Sequence, residues 1–177
     1  METFDALFSR QSIREFTGEQ VDESDLEKIL LAANAAPVGM KKYEDVHLAV
    51  IQAPDLLKRI DAAGAAFFGN PDMHPLYGAP TLIVVSSKEA GPGLPENVAC
   101  SNAAIIVENM ALAAVDLGVG ACHIWGAIEA LAHADFVSEL GLPQGFVPKC
   151  ALALGKSKIA YDKRDIPADR IACSYIR

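Results

Sequence analysis

The stretch from Glu96 to Leu117 is apolar on almost every side and constrains this chain more than any other feature. Pro95 stands where a helix tolerates proline, at the first turn, and Gly118 stands where helices commonly end, so we predict one long helix. Such a helix must be buried on several sides, and an interface between two copies of the chain would bury it. A membrane span would be costly, because four polar or charged residues interrupt the stretch: Asn102, Glu108, Asn109 and Asp116.

The rest of the chain alternates short helical and strand patterns, which predicts an α+β or α/β fold. Helical spacing or helix signals mark Thr3 to Ser9, the segment after Asp22, Pro54 to about Ala66, and Ile128 to Leu140. Short β-branched runs predict buried strands at His47–Gln52, Thr81–Ser86 and Pro148–Leu154. Because no repeat, low-complexity tract or linker interrupts the pattern, we expect one domain over residues 1–177.

The composition limits the partners of the chain. A formal charge of −8 and a pI near 4.9 argue against a nucleic-acid or anionic-membrane surface, which needs a basic stripe. A hydrophobic fraction of 51% and a mean hydropathy of +0.22 suggest apolar surface covered by a second subunit. The four cysteines are far apart and predict no metal site, and the acidic N-terminus lacks a signal peptide, so we expect the cytoplasm.

A small cationic cluster, FSRQSIREF from Phe8 to Phe16, stands out in this acidic chain. In an extended backbone Arg10, Ser12 and Arg14 share one face, and two guanidinium groups and a hydroxyl then suit a phosphate. In a helix the two arginines still meet, but Ser12 points away. Spacing alone favours a third interpretation, a helix end with solvated charges.

The order of further motifs resembles the nitroreductase family of FMN-dependent oxidoreductases. After SRQSIREF come VDESDLEKILLAANAAPVG, YGAPTLIVV, NAAIIVENMALAAVDLGVGAC, ELGLPQGFVPKCALALG and KRDIP, which together span nearly the whole chain. The resemblance implies an α+β homodimer with a central mixed sheet flanked by helices. It also implies FMN at the subunit interface, NADH or NADPH as transient electron donor, and a small electron-poor acceptor such as a nitroaromatic or a quinone.

The resemblance also implies the cofactor-binding residues. Arg10, Ser12 and Arg14 match the contacts to the flavin phosphate and ribityl chain, with Gln11 beside them. Arg164 matches a late basic residue that meets the same phosphate, and Lys163 is a helper. Gly120, between Val119 and Ala121, matches a glycine turn whose backbone runs beside the flavin; a structural turn after the long helix is an equal alternative.

One motif departs from the family pattern. Where many members have proline followed by Ser-x-x-Asn-x-Gln, this chain has Pro37, Val38, Gly39, Met40, Lys41, Lys42 and Tyr43. These positions approach the isoalloxazine ring in relatives, so flavin orientation or substrate choice is expected to differ. Lys41 is the one candidate for a catalytic role, because a cation near N1 favours the reduced flavin; a surface lysine is an equal alternative.

Other reactive residues are weaker candidates. Cys122 beside His123 invites a nucleophile interpretation, but adjacent residues seldom face each other and no third group is identifiable. We expect His123 and Trp125 to pack near the core, and His74 to lie in a solvated loop that borders the flavin pocket. Two other functions remain open: a flavin-binding protein without reductase activity, and a non-enzymatic dimeric interaction module.

Overall fold

The computed structural model describes residues 1–131 and 134–177, and its centre is a four-stranded sheet. The strands are β1 (Val46–Ile51), β2 (Thr81–Lys88), β3 (Gly120–Ile124) and β4 (Phe146–Gly155), in the order β1-β2-β4-β3. Each neighbouring pair is antiparallel. The predicted α+β class is confirmed, but the expected mixed sheet is wrong for the described strands.

The helical segments of the described residues are α1 (Thr3–Ser9), α2 (Glu23–Asn34), α3 (Pro54–Phe67), α4 (Glu96–Leu117), α5 (Gly126–Leu131) and α6 (Ala134–Glu139). The predictions for α1 and α4 match these bounds. Helices α5 and α6 overlap the helix expected over Ile128–Leu140, and residues 132–133 of that expectation lie outside the described part of the chain. Two short 3₁₀ turns, Gly39–Lys41 and Tyr43–Asp45, precede β1.

The alternation of side chains along β2 divides the core into two layers. Ile83 and Val85 face a cluster built by α2 and α4, whereas Leu82 and Val84 face a second cluster built by α3 and α5. All four side chains are fully buried, so β2 is covered on both faces. A strand covered in this way reads as a continuous apolar run, which explains why TLIVV is visible in the sequence.

Helix α4 is buried mainly by its own subunit. Nine of its residues are buried, and its C-terminal residue is followed by Gly118 in the left-handed conformation (φ 70°), a standard helix end. By length and composition α4 could cross a membrane, but half of its most apolar window is buried inside the structure. The exposed residues of α4 include Ile105, which is 40% exposed.

We predict that Ala114→Arg unfolds or strongly destabilises the subunit. Ala114 is fully buried in the layer of α2 and α4, so an arginine there places an unpaired charge in the core. Urea denaturation should show a free energy of unfolding lower by more than about 3 kcal/mol. Ala62→Arg, the same change at an exposed position of α3, should alter it by less than about 0.5 kcal/mol; similar losses in both variants would contradict this packing.

Candidate functional site

The cationic segment lies in extended conformation along the free edge of β3. Helix α1 ends at Ser9, and residues 10–17 lie outside any helix, so the structure does not adopt the helical alternative. The Ile13 N–H donates to the carbonyl of Ala121 in β3 at 2.9 Å. An edge strand that would otherwise expose its backbone is covered in this way.

The end of the chain pairs with the same segment from the other side. Backbone bonds join Thr17 to Lys156 at 2.9 Å and Arg164 to Phe8 at 3.1 Å. Between them, the Ser157 hydroxyl donates to the carbonyl of Glu15 at 2.7 Å. We call these paired segments, residues 8–17 and 156–164, the terminal clasp. The clasp brings residues more than a hundred positions apart into one site.

The clasp positions three of the predicted phosphate ligands around one point. Ser12, Arg10 and Arg14 all lie near enough to the thiol of Cys122 to act on its pKa in the lowering direction. The three residues therefore lie on the part of the segment next to β3. We refer to these three residues, together with Arg164, as the cationic site.

The clasp also fixes the remaining predicted basic residues. The Arg164 side chain donates through Nε to the carbonyl of Phe8 at 3.0 Å, which leaves the outer guanidinium nitrogens available. Lys163 forms an ion pair with Asp5 at 2.8 Å, and its ammonium lies 5.8 Å from the ring centre of Phe8. Lys163 thus has a local structural partner, whereas Arg164 is bonded to Phe8, two residues before Arg10.

Gln11 is tied into the clasp rather than directed at the site. Its amide nitrogen donates to the carbonyl of Ala160 at 3.2 Å. This bond spans the chain termini and holds the backbone of residues 10–12 in place. Gln11 therefore has a positioning contact in the structure.

An acidic residue that the sequence did not single out lies beside Arg10. Glu108 of α4 accepts an ion pair from Arg10 Nε at 3.4 Å through one oxygen, and its other oxygen lies 3.1 Å from His123 Nε2. Arg10 and Glu108 are far apart in sequence, so no local pattern predicts this contact. Glu108 holds Arg10 in place and would also compete with an anion for it.

Tyr161 joins the clasp to β3 and was also missed by the sequence. Its hydroxyl donates to the carbonyl of Val119 at 2.9 Å and accepts the N–H of Ala121 at 3.0 Å. Burial raises the pKa of Tyr161 to about 12, although the hydrogen bond from Ala121 and the charge of Arg10 act in the opposite direction. The phenol therefore stays neutral and structural at physiological pH.

Gly120 is the first residue of β3 and not a turn, which corrects its predicted role. The turn is made by Gly118, and a Cβ on Gly120 would lie 2.9 Å from the carbonyl oxygen of Gly155 and 3.2 Å from Ile13. Only glycine lets the cationic segment approach β3 this closely. The residue thus supports the site through close packing.

Cys122 lies in the site but is unsuited to nucleophilic attack. Burial raises the pKa of its thiol, and this effect outweighs the charges of Arg14 and Arg10 and the hydrogen bond from Ser12. A protonated, buried thiol is a weak nucleophile at neutral pH. The structure therefore favours a packing role for Cys122.

The variant loop from Pro37 to Lys41 lies at the N-terminal half of α4. The Gly39 N–H donates to Asn102 Oδ1 at 3.0 Å, and Val38 is buried in the core. Pro37 and Lys41 are exposed. The loop is thus pinned to α4 through Asn102, while the cationic site contacts the same helix through Glu108.

The loop stores backbone strain beside its exposed lysine. Met40 and Lys41 adopt positive φ angles of 57° and 58°, which cost a non-glycine residue roughly 1–2 kcal/mol each. The Met40 side chain is 65% exposed, so burial of that side chain does not offset the strain. Strain of this kind concentrates at binding sites, where it holds a surface in a set shape.

Trp125 is placed differently from its prediction, whereas His74 lies in a solvated loop as predicted. Trp125, at the end of β3, is 58% exposed, so the expectation that it packs in the core is wrong. His74 does lie in a loop and its side chain is 73% exposed, but its Nδ1 is bound to Asp61 Oδ2 at 2.8 Å. Among the described residues, no group of three or more His, Cys, Asp or Glu is placed to hold a metal ion.

We predict that Tyr161→Phe removes part of the loss of stability at alkaline pH. The pKa of Tyr161 is raised from about 10 to about 12, so above pH 10 the unfolded chain releases the proton first and stability falls as pH rises towards 12. Urea unfolding at pH 8 and pH 11 should show a smaller decrease for Tyr161→Phe than for the wild type. The exposed Tyr175 gives the control: Tyr175→Phe should leave the decrease unchanged. A spectroscopic titration in which every phenol ionises near pH 10 would contradict the buried assignment.

Comparisons with known proteins agree with this arrangement. The family model described as "Nitroreductase family" matches residues 7–156. A protein from Archaeoglobus fulgidus with the provisional name NADH dehydrogenase/NAD(P)H nitroreductase is 29% identical over 161 residues, covering 90% of this chain and 86% of that protein.

Solved structures extend the likeness to the whole fold. A nitroreductase with bound FMN from Desulfitobacterium hafniense superposes with a TM-score of 0.84 at 25% identity and covers all of both chains. A second nitroreductase with bound FMN, from Bacteroides fragilis, gives a TM-score of 0.82 at 25% identity over 99% of this chain and all of that one. Since the family model spans most of its length, the chain belongs to the nitroreductase family.

Proposed function

We propose that this protein is an FMN-dependent oxidoreductase that takes electrons from NADH or NADPH and reduces a small electron-poor acceptor, such as a nitroaromatic or a quinone. The observation that carries the proposal is the position of Arg10, Ser12 and Arg14 near Cys122 of β3, with Arg164 bonded to Phe8 of the same segment. Two relatives with the same fold were crystallised with FMN, which supports this choice of cofactor. When bound, FMN supplies the hydride chemistry, and the protein has to bind, orient and shield it.

The donor set of the cationic site fits a phosphate monoester. Arg10, Arg14 and Arg164 supply planar guanidinium groups that stay charged at all relevant pH values, and Ser12 adds a hydroxyl. Glu108 is the acid paired with this set, so the site is net positive in a chain of charge −8. We propose that these four residues hold the phosphate and ribityl chain, with Gln11, Lys163 and Gly120 fixing the surrounding backbone.

A homodimer would complete the site. Helices α1 and α4 leave Phe4, Leu7 and Ile105 exposed by 70%, 42% and 40%, beside the Arg10–Glu108 pair. Apolar side chains in this arrangement indicate a covered face. We propose that two copies meet here and that Pro37, Val38, Gly39 and Lys41 of one subunit approach the cationic site of the other.

The variant loop is compatible with one other function, that of a flavin-binding protein without reductase activity. The exposed Met40 and Lys41 replace the small polar pattern of many relatives, and their strained backbone gives the loop a set shape. Oxidation of NADH or NADPH in the presence of a nitroaromatic separates the two functions, because a non-reductase would bind FMN without accelerating it. Family membership argues against a purely structural interaction module.

We extend the proposal to the organisation and location of the protein. The two core layers share β2, which is compatible with one domain over residues 1–177. The four cysteines are free, and NADH and NADPH are cytoplasmic reductants, so we propose the cytoplasm as its compartment.

The phosphate assignment predicts that Arg10→Ala and Arg14→Ala weaken FMN binding about ten- to a hundredfold each. A charge-assisted hydrogen bond to phosphate contributes about 1.5–3 kcal/mol, which corresponds to this range. Fluorescence titration with FMN measures the loss directly. Riboflavin, which lacks the phosphate, is the control ligand, and its affinity should hardly change.

Glu108→Gln is expected to change FMN affinity in the opposite direction, towards tighter binding. It keeps the side-chain volume and removes the charge 3.4 Å from Arg10, so FMN should bind severalfold more tightly while riboflavin binding is unchanged. Equal effects of the arginine substitutions on FMN and riboflavin would overturn the phosphate assignment.

The interface assignment predicts that Ile105→Glu shifts the protein from dimer to monomer. The substitution places a charge on the apolar face of α4, where desolvation on association would be costly. Sedimentation velocity should give twice the 18.8 kDa chain mass for the wild type and a smaller species for the variant. Val50→Glu changes a side chain of equal exposure on β1 and should leave the dimer intact. A monomeric wild type would exclude the interface.

A further inference from the structure

A cavity of about 680 Å³ lies between α3 and the segment that leads into β2. Its size is within the range of sites for small organic ligands. Leu57, Leu76 and Pro80 contribute apolar lining, and the charged or polar lining residues include Arg14 and Lys58. Of its lining residues only Arg14 belongs to the cationic site, so most of the cavity has no role in the proposed cofactor binding.

The charges around the cavity leave it net positive. Arg14 and Lys58 both line it, and neither has an ion-pair partner within the described ranges 1–131 and 134–177. Asp61 also lines it, but both of its oxygens are used. Oδ1 accepts the Leu76 N–H at 2.8 Å, and Oδ2 lies 2.8 Å from His74 Nδ1. Two free cations therefore face one carboxylate that is already satisfied.

An aromatic ring is held against one of these cations. The guanidinium carbon of Arg14 lies 5.7 Å from the ring centre of Tyr77, a cation–π distance. Tyr77 adopts a positive φ of 55°, a strained conformation for a residue with a side chain. The following Gly78 (φ 73°) continues the turn. This backbone conformation holds the Tyr77 ring next to the Arg14 guanidinium, and both residues line the cavity.

We propose that this cavity is a second ligand site, for a small planar aromatic carboxylate. The ring of the ligand would pack on Leu57 and Pro80 beside Tyr77, and its carboxylate would lie between Lys58 and Arg14. An uncharged aromatic would leave Lys58 without a partner, and an aliphatic anion would leave the ring of Tyr77 uncovered. Arg14 is shared with the proposed cofactor site, whereas Lys58 lies outside it, so the test is made at Lys58.

Calorimetric titration of the purified protein with 2-naphthoate, against 2-naphthamide, tests this site. The two probes share a ring system and differ in charge, so the carboxylate should bind about tenfold more tightly or better. Lys58→Met should lower naphthoate affinity about tenfold and leave naphthamide and FMN affinities unchanged. Lys58 is exposed on α3, so the variant should fold, and Lys58→Gln repeats the test with a polar side chain.

Two further variants test whether naphthoate affinity depends on charge and whether that dependence is specific to the cavity. Asp61→Asn keeps an acceptor for the Leu76 N–H but removes the negative charge, so naphthoate affinity should rise. Lys28→Met, which removes a lysine paired with Asp25 on α2, should have no effect.

Three results would overturn the proposal. The first is that naphthoate and naphthamide bind equally, or that neither binds. The second is that naphthoate affinity is undiminished in both Lys58 variants. The third is that stoichiometric FMN displaces naphthoate, which would place the probe in the cofactor site. Loss of FMN binding in Arg10→Ala with an intact Lys58 effect would separate this site from the proposed cofactor site.

Discussion

The burial of α4 against the sheet is the constraint on which the other parts of this structure depend. Its inner face fills the layer shared with α2 and β2, so the helix cannot rotate or slide without opening the core. Its outer positions are then fixed as well. Asn102 holds the variant loop and Glu108 holds Arg10, so a core-packing requirement sets where both halves of the proposed cofactor site stand.

The terminal clasp is the second feature on which the site depends, because it holds segments that carry like charges together. Arg10, Arg14 and Arg164 repel one another, yet backbone bonds at 2.9–3.1 Å and the hydroxyl of Tyr161 hold their segments together. These bonds are made by neutral groups and are insensitive to salt. The repulsion is therefore stored in the folded state, where an anion that binds all three guanidiniums would relieve it.

The elements that sequence predicts well are those with local signals. Helix α4 begins after Pro95 and ends at Gly118, and TLIVV is apolar because β2 is covered on both faces. The cationic cluster can be predicted from sequence because the alternation of its residues is also a local signal. Glu108 and Tyr161 cannot be predicted in this way, since each contacts the clasp or β3 only through tertiary packing. Gly120 was read as a turn because spacing cannot distinguish a glycine that bends the chain from one that permits close approach.

The remaining question is how a chain of charge −8 attracts an anionic cofactor. Charges more than a Debye length away, about 8 Å at physiological ionic strength, are largely screened. The distant carboxylates therefore slow the approach of an anion only weakly, while the guanidinium groups beside β3 act at contact distance. Affinity then rests on the geometry of a few hydrogen bonds in a partly buried site, where each is stronger than in water. The net charge of −8 would repel polyanions, and in the proposed site the clasp would set which small anion binds.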